Sequence, residues 1–461
     1  MAIRPSSRWA VPLAAAAVLA FVSADVIVSA ATATPGVDTP ALDTPAQVID
    51  VPSTAVPLPV ATDVVTVFQS GALTTALRDS ALAAAQAVGA PAVTGRGFTG
   101  MLTRLRRGTT VLQQVRAAGW VIPMGVTALP LDAIAGIFGR TIAVPIAQGT
   151  IVLGATSAGM RGAKAGDVME FRGHGGTVAL TIGLVAPDAA IGGTEILMGR
   201  AQADRLGAGI DSSVVIWGES DRSALLRAIA ARGMSTNPKI RVERSWDPPS
   251  PDETLGLSQT KKLLGEFDFD LAHLSSSGWT AMSPQWKAKY LPGGRVAYPT
   301  GIRALCNTAV KADLRAALAE VVNSGLGGGI DVGNTNAAGG CGTGSVRLSR
   351  VNQAFFAVSR HSWGQPIDMN TVSNCEGCIP RFDCRIVRIF RKHGYAWGGN
   401  FLVPDGMHFE WAGGRRDTMQ YRSKYCPNLP LTKAQRTESS SPPTPATSRD
   451  TMFSQDGWMG E

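Results

Sequence analysis

Two short stretches near the end of the chain combine residue types that can hold a metal ion and move a proton. The first is Ser359-Arg360-His361-Ser362-Trp363-Gly364-Gln365-Pro366-Ile367-Asp368, and the second is Asp405-Gly406-Met407-His408-Phe409-Glu410. His361 and Asp368 are seven residues apart, a spacing that would share a helix face, but Gly364 and Pro366 oppose a helix there. The pattern predicts instead a tight turn at Trp363-Gly364 and a strand over 366–369, with His361 folded back toward Asp368. An imidazole nitrogen and a carboxylate oxygen meeting at one point are what Zn2+ takes in hydrolytic sites. His408, expected on a later strand, supplies a third ligand. Two imidazoles and one carboxylate leave a coordination position for water, as a catalytic zinc requires. Asp405 precedes His408 by three residues. It is expected to face that water and to take its proton. Arg347 and Arg350 lie upstream and are candidates to bind a substrate carboxylate or a developing oxyanion.

Each residue also has a plainer reading. Asp368 could cap a helix, and Asp405 within Pro-Asp-Gly could serve a turn. His393 follows Lys392 at the end of an expected helix, where positive charge suits the C-terminus. His174, flanked by glycine, reads as a loop residue without partners at metal spacing. The joint occurrence of His361, Asp368, Asp405 and His408 is what favours a metal site over four separate accidents.

These pieces together resemble the D-alanyl-D-alanine carboxypeptidase family of zinc peptidases. The resemblance is nearest to its LAS-type branch, which contains L-alanyl-D-glutamate endolysins and bacterial wall carboxypeptidases. The residues that carry it are Ser359, His361, Gly364, Asp368, Trp397-Gly398-Gly399, Asp405 and His408-Phe409-Glu410, with Gly339-Gly340-Cys341 and Arg347 upstream. The resemblance covers about 254–411. It implies His361, Asp368 and His408 as zinc ligands, Asp405 as general base and Arg347 as the catalytic arginine. Arg350, Ser359 and Trp397 are the implied substrate-binding residues. The implied fold is a small antiparallel sheet with flanking helices that hold the metal in a cleft. Two departures stand out: Pro366 replaces a small residue, and Gly-Thr-Gly-Ser-Val-Arg replaces the usual Tyr-Asn-Pro-Arg. The second departure leaves Arg350 beside Arg347 as the alternative catalytic arginine.

The rest of the chain must position this constellation. At 461 residues it is long enough for two domains with connecting segments. Hydrophobic residues make up 45%, which supplies real cores, and 52 glycines with 28 prolines favour short strands and loops. An α+β class follows, with a C-terminal zinc peptidase domain preceded by a separate α+β domain. Residues 63–249 read as that first domain, of unknown role. Strands are expected at 63–68, 150–153, 168–171, 177–185 and 213–217, and helices at 72–88 and 222–231, the latter capped by Asp221. Trp246-Asp-Pro-Pro-Ser-Pro251 reads as the boundary. Residues 254–430 form the second domain, with helices expected at 308–324 and 380–392.

Residues 1–33 read as a signal peptide. Arg4 and Arg8 precede an apolar run, and small-residue cleavage sites follow. An uncleaved N-terminal anchor is the alternative, although it would place Asp25 in the bilayer. Residues 34–62 read as a Pro/Thr/Ala-rich linker and 431–461 as a disordered tail. All six cysteines fall after residue 300, an even number that suits disulfides in an exported chain. Their connectivity stays open, and a structural zinc at Cys375, Cys378, Cys384 and Cys426 is the alternative. The net charge of +8 is spread along the chain, which permits contact with acidic envelope polymers but gives no footprint for nucleic acid.

The expectation is therefore a secreted or envelope-associated zinc metallopeptidase acting on peptidoglycan stem peptides, with removal of terminal D-alanine first and L-alanyl-D-glutamate cleavage second. A non-catalytic zinc-bearing module that binds the cell wall is the rival from another class. The partner of 63–249 is left unknown.

Overall fold

β-Branched and aromatic residues open the first region. Val64–Gln69 (β1) is buried almost throughout, which suits a run of Val, Thr and Phe. The helix Thr75–Gln86 starts at Thr74, whose side chain accepts from Leu77 N, and it buries Leu77, Ala81, Ala84 and Ala85 on one stripe. The strands that follow are Ala92–Arg107 (β2), Thr110–Gln114 (β3), Trp120–Leu129 (β4), Ile151–Gly154 (β5), Val168–Gly173 (β6), Gly176–Ala186 (β7), Ile196–Gly199 (β8), Ser213–Trp217 (β9) and Ile240–Arg244 (β10). This computed structural model describes residues 62–218, 221–332, 341–350 and 352–428. The segments expected as signal peptide or anchor (1–33) and as tail (431–461), nearly all of the linker (34–62), and Gly339-Gly340 lie outside the described residues. Among the described residues, no helix is long and apolar enough to cross a membrane.

β10, β1, β9 and β2 pair antiparallel in that order. The helices Thr75–Gln86 and Arg222–Ala230 make the crossovers, giving a split β-α-β arrangement. Asp221 caps the second helix by accepting from Ser223 N and Ala224 N at 2.8 and 3.1 Å. β2 is sixteen residues long and runs beyond this sheet. Its far half pairs with both β4 and β6, and the pairings β6–β7, β7–β5, β5–β8 and β8–β4 bring the path back to β2. The six strands thus close a barrel, which removes exposed edges. Leu102, Met124, Val126, Val152, Phe171 and Ile182 are among the residues that fill its core. Gly100 explains a glycine inside β2: a Cβ there would come within 3.0 Å of Val126 and 3.2 Å of Phe171.

Most of the second region's apolar residues form their own cluster, from Leu257 to Cys426, which Met101 and Val121 of the barrel strands also join. Conversely, Phe355 and Ala357 pack into the barrel's core. Phe269–Asp270 (β11) pairs with β4 at Val121 and Trp120. A buried charge cluster joins the two regions as well. Lys261, on the helix Leu257–Leu264, lies 3.0 and 2.9 Å from the carboxylate oxygens of Glu195 and 3.4 Å from Glu266. Arg161 completes the cluster by bonding Glu266. Asp252, just after the proline-rich segment, accepts from Arg391 at 2.8 and 2.6 Å and from Trp397 N at 3.2 Å.

The second region is built from short elements. Trp279–Thr280 pairs with Val346–Arg347, and Val296–Ala297 with Arg303–Ala304. A three-stranded antiparallel sheet places His408–Trp411 between Pro366–Asp368 and Tyr395–Trp397. The helix expected at 308–324 runs over Lys311–Asn323. Asn307, just ahead of it, makes a buried joint, donating to Leu264 O and Trp363 O at 3.1 and 3.2 Å and accepting from Ala309 N at 3.1 Å. The helix expected at 380–392 starts at Cys384, capped by Asp383, because Pro380 lies outside its first turn. The cysteines pair as Cys306–Cys341, Cys375–Cys378 and Cys384–Cys426. That pairing corrects the zinc alternative at Cys375, Cys378, Cys384 and Cys426: no thiolate is left to bind a metal.

Candidate metal centre

Register places two of the three expected ligands. Asp368 is directly opposite His408 across the antiparallel pair, so both side chains leave the same face of the sheet. Asp368 Oδ1 lies 3.2 Å from His408 Nδ1. His361 comes from the single 3-10 turn Arg360–Trp363, which ends at Gly364 with φ +65°. A Cβ at Gly364 would come within 2.7 Å of Leu291 and 3.0 Å of Asn307 N, so the turn toward Asp368 needs glycine twice over. His361 Nε2 then lies 3.2 Å from Asp368 Oδ2. One donor atom from each of His361, Asp368 and His408 falls within 4.8 Å of the others.

The backing groups set the imidazole protons. His361 Nδ1 lies 3.3 Å from Cys341 O, which can only accept, so Nδ1–H donates and Nε2 faces Asp368. His408 Nε2 lies 3.3 Å from Glu410 Oε2, so Nε2–H donates there and Nδ1 faces Asp368. Glu410 is itself buried and accepts from Gln365 Nε2 at 3.1 Å. Such outer partners fix ring orientation in metal sites. A nitrogen lone pair and a carboxylate oxygen at 3.2 Å repel unless a cation lies between them, and a divalent ion meets that need for both rings at once. Burial pushes the Asp368 carboxyl up. With protons on the facing nitrogens in place of an ion, the charge of His361 and hydrogen bonds from His361 and His408 outweigh that and hold it far below the usual carboxylate range.

A cavity of about 110 Å³ opens beside the group. Arg347, Arg350, His361, Asp368, Glu376 and Asp405 are among its lining residues. Asp405 is buried in a turn, where Asp405 N donates to Gly398 O at 2.8 Å and His408 N donates to Asp405 O at 3.1 Å. Gly398 has to lack a side chain, because a Cβ would come within 2.6 Å of Asp405 O. Both arginines reach the cavity, so the structure brings together every residue expected as ligand, base or arginine. Ser359 and Trp397, expected to bind substrate, are not among its lining residues. Ser359 Oγ accepts from Arg347 Nη2 at 3.1 Å, and the buried Trp397 donates from Nε1 to Gly406 O at 2.9 Å. They hold the arginine and the Asp405 turn from behind. Sequence reasoning assigned no role to Glu376, Glu410 or the Cys341 carbonyl. Glu410 was visible as the last residue of the His-Phe-Glu motif. Glu376 was hidden inside a Cys-x-x-Cys segment whose pairing was open.

With this geometry in place, the comparison with known families bears on its class. Residues 356–411 match the family model described as D-alanyl-D-alanine carboxypeptidase, a segment that holds His361, Asp368, Asp405 and His408. The match supports a peptidase of the family that the motifs resemble. No curated protein matches the chain.

Proposed function

We propose that the chain is an exported zinc metallopeptidase that hydrolyses peptidoglycan stem peptides, most readily as a D-alanyl-D-alanine carboxypeptidase. The observation that carries this reading is the convergence of His361, Asp368 and His408 beside a cavity that also holds Asp405 and two arginines. Zn2+ held by these three residues would supply Lewis acidity and a bound water of lowered pKa. Asp405 takes the water's proton and returns it to the leaving amine as the C–N bond breaks. Glu410 and the Cys341 carbonyl keep the rings turned toward the ion. Arg347 and Arg350 bind the free carboxylate of the terminal residue and the oxyanion of the tetrahedral intermediate. A cavity of about 110 Å³ with two guanidinium groups supports the carboxypeptidase reading, and L-alanyl-D-glutamate endopeptidase activity is the alternative. Three disulfides suit an oxidising compartment outside the cytoplasmic membrane. A wall-binding module without turnover would have no use for a carboxylate at the position of Asp405.

Metal analysis paired with Asp405→Ala tests the reading. Parent and variant should each hold about one zinc per chain. Release of D-alanine from defined muropeptides, weighed by mass spectrometry, should fall about 100- to 10,000-fold in the variant. Loss of zinc from the variant would make Asp405 a ligand. Binding of zinc and sacculi without release of any product by the parent would leave the wall-binding module.

A further inference from the structure

The turn that carries His361 is gripped from two sides. On one side Asn307 N donates to Gly364 O at 3.0 Å, and Asn307 Nδ2 to Trp363 O at 3.2 Å. That arm is itself fastened, because Asn307 Nδ2 also donates to Leu264 O at 3.1 Å and Thr308 N donates to Tyr290 O at 2.9 Å. On the other side runs Cys341-Gly342. Cys341 O lies 3.3 Å from His361 Nδ1, and a Cβ at Gly342 would come within 2.8 Å of His361 O and 3.0 Å of Gly364 Cα. The second arm has less of its own to hold it. Among the described residues, no backbone–backbone hydrogen bond reaches residues 341–345. What joins this arm to the fastened one is the buried Cys306–Cys341 disulfide. The acceptor that orients the His361 ring is thus placed through a crosslink. Outer partners of this kind are worth about 10- to 100-fold in metal affinity.

We propose that the Cys306–Cys341 disulfide is a positioning element of the metal centre and makes tight zinc capture depend on oxidation of the chain. The S–S bond forms by exchange. The two thiols pass two electrons and two protons to a disulfide-bearing oxidant, whose own S–S bond breaks into two thiols. Before that step the Cys341 carbonyl is held by packing alone, the His361 ring lacks a fixed acceptor, and zinc binds weakly. After it the ring is locked toward Asp368. This rests on the reading of His361, Asp368 and His408 as zinc ligands.

The test measures zinc affinity of the full chain by competition with a chelator. It compares the parent, Cys306→Ser with Cys341→Ser, and Cys375→Ser with Cys378→Ser, which opens a crosslink between residues three apart instead. The ring is read separately, from the exchange rate of the His361 Nδ1–H proton in NMR spectra of the metal-free proteins. Loss of the 306–341 crosslink should weaken zinc binding about 10- to 100-fold. It should also speed exchange of His361 Nδ1–H, while His408 Nε2–H keeps its rate. The control pair should match the parent in both. Cys306→Ala with Cys341→Val keeps apolar volume and replaces the serine pair if that pair does not fold. Failure of both to fold would make the crosslink a support of the whole region and overturn the proposal. Unchanged zinc affinity in a folded 306/341 variant would overturn it too and leave the peptidase reading standing. So would an equal loss in the control pair, or a weaker site whose His361 ring is unaltered. If the parent binds no zinc, the zinc reading fails and the ring decides: faster His361 exchange in the 306/341 variant alone supports the inference, and an unaltered ring sinks it.

Discussion

The barrel region and the region of the candidate metal centre solve the positioning problem in opposite ways. The first relies on long backbone ladders, with β2 of sixteen residues and β4 of ten. The second has strands of two to four residues and relies on side chains and crosslinks: three disulfides, Asn307, Gln365, Arg391 and the Glu410–His408 contact. The difference follows from the task. A closed barrel presents its side chains in fixed alternation and packs its interior with apolar groups. A metal centre must gather His361, Asp368 and His408 from a turn and two strands, which irregular backbone permits and ladders do not. Loops of that kind keep their shape only when something else restrains them. The barrel is part of that restraint. Phe355 and Ala357 lie in its core, and Gly71, just after β1 in the split β-α-β sheet, donates from N to Asn352 at 3.4 Å, so the segment just after Arg350 is fastened to the first region.

If the two regions act as one cooperative body, the buried charge cluster between them is where to break it. Lys261→Met removes the cation between Glu195 and Glu266 and leaves Arg161 alone against two buried carboxylates. Breaking a buried pair in this way costs about 3–5 kcal/mol. Denaturant melting should show a single transition in the parent. The variant should unfold earlier, or in two steps with the C-terminal region first. An unchanged midpoint would mean that the regions are merely adjacent. A somewhat smaller effect is expected within the second region alone. Replacing Cys384 and Cys426 together by serine frees a crosslink across 42 residues, worth about 3–4 kcal/mol by loop entropy. Hydrogen exchange should rise in Cys384–Lys392 and around 408–411, while β4 and β8 keep their protection. Equal loss of protection in the barrel would blur the contrast between ladder and crosslink.

Legibility in the sequence follows the same divide, with a twist. The site was legible because metal chemistry needs particular residue types, and the turn at Gly364 and the strand into Asp368 follow from local rules. What stayed hidden there was long-range: the disulfide pairing, and therefore Glu376. In the barrel region, several strands and both helices of the split β-α-β arrangement were foreseen. β2 and β4, which hold it together, were not. β2 reads Ala-Val-Thr-Gly-Arg-Gly-Phe-Thr-Gly-Met-Leu-Thr-Arg-Leu-Arg-Arg and serves two sheets in succession. Its buried face changes partway along, so no single alternation marks it. Barrel closure is a property of pairings between distant strands and leaves no local signature.

The smallest expected effect separates the regions by acid. In the barrel, burial pushes Asp167 and Glu170 up, but hydrogen bonds from Arg107 to Asp167 and from Arg104 and Arg106 to Glu170 outweigh it. Both are held below their ordinary values of 3.8 and 4.5. A carboxyl depressed in the folded state binds protons less readily than in the unfolded chain. Its stabilisation is complete above the ordinary value and is lost as the pH falls through the depressed one. Arg107 gives Asp167 two bonds, at 2.8 and 2.9 Å, and Lys164 N donates a third at 2.8 Å. Arg107→Ala therefore removes most of the depression and keeps the fold. The acid midpoint of the barrel, read from exchange of β2 and β6 amides, should move up by roughly half a pH unit. The C-terminal amides around Asp368, which leans on imidazoles instead, should not follow. A shift shared by both regions would make acid unfolding a property of the whole body, and the division between ladder and crosslink would then describe architecture without describing stability.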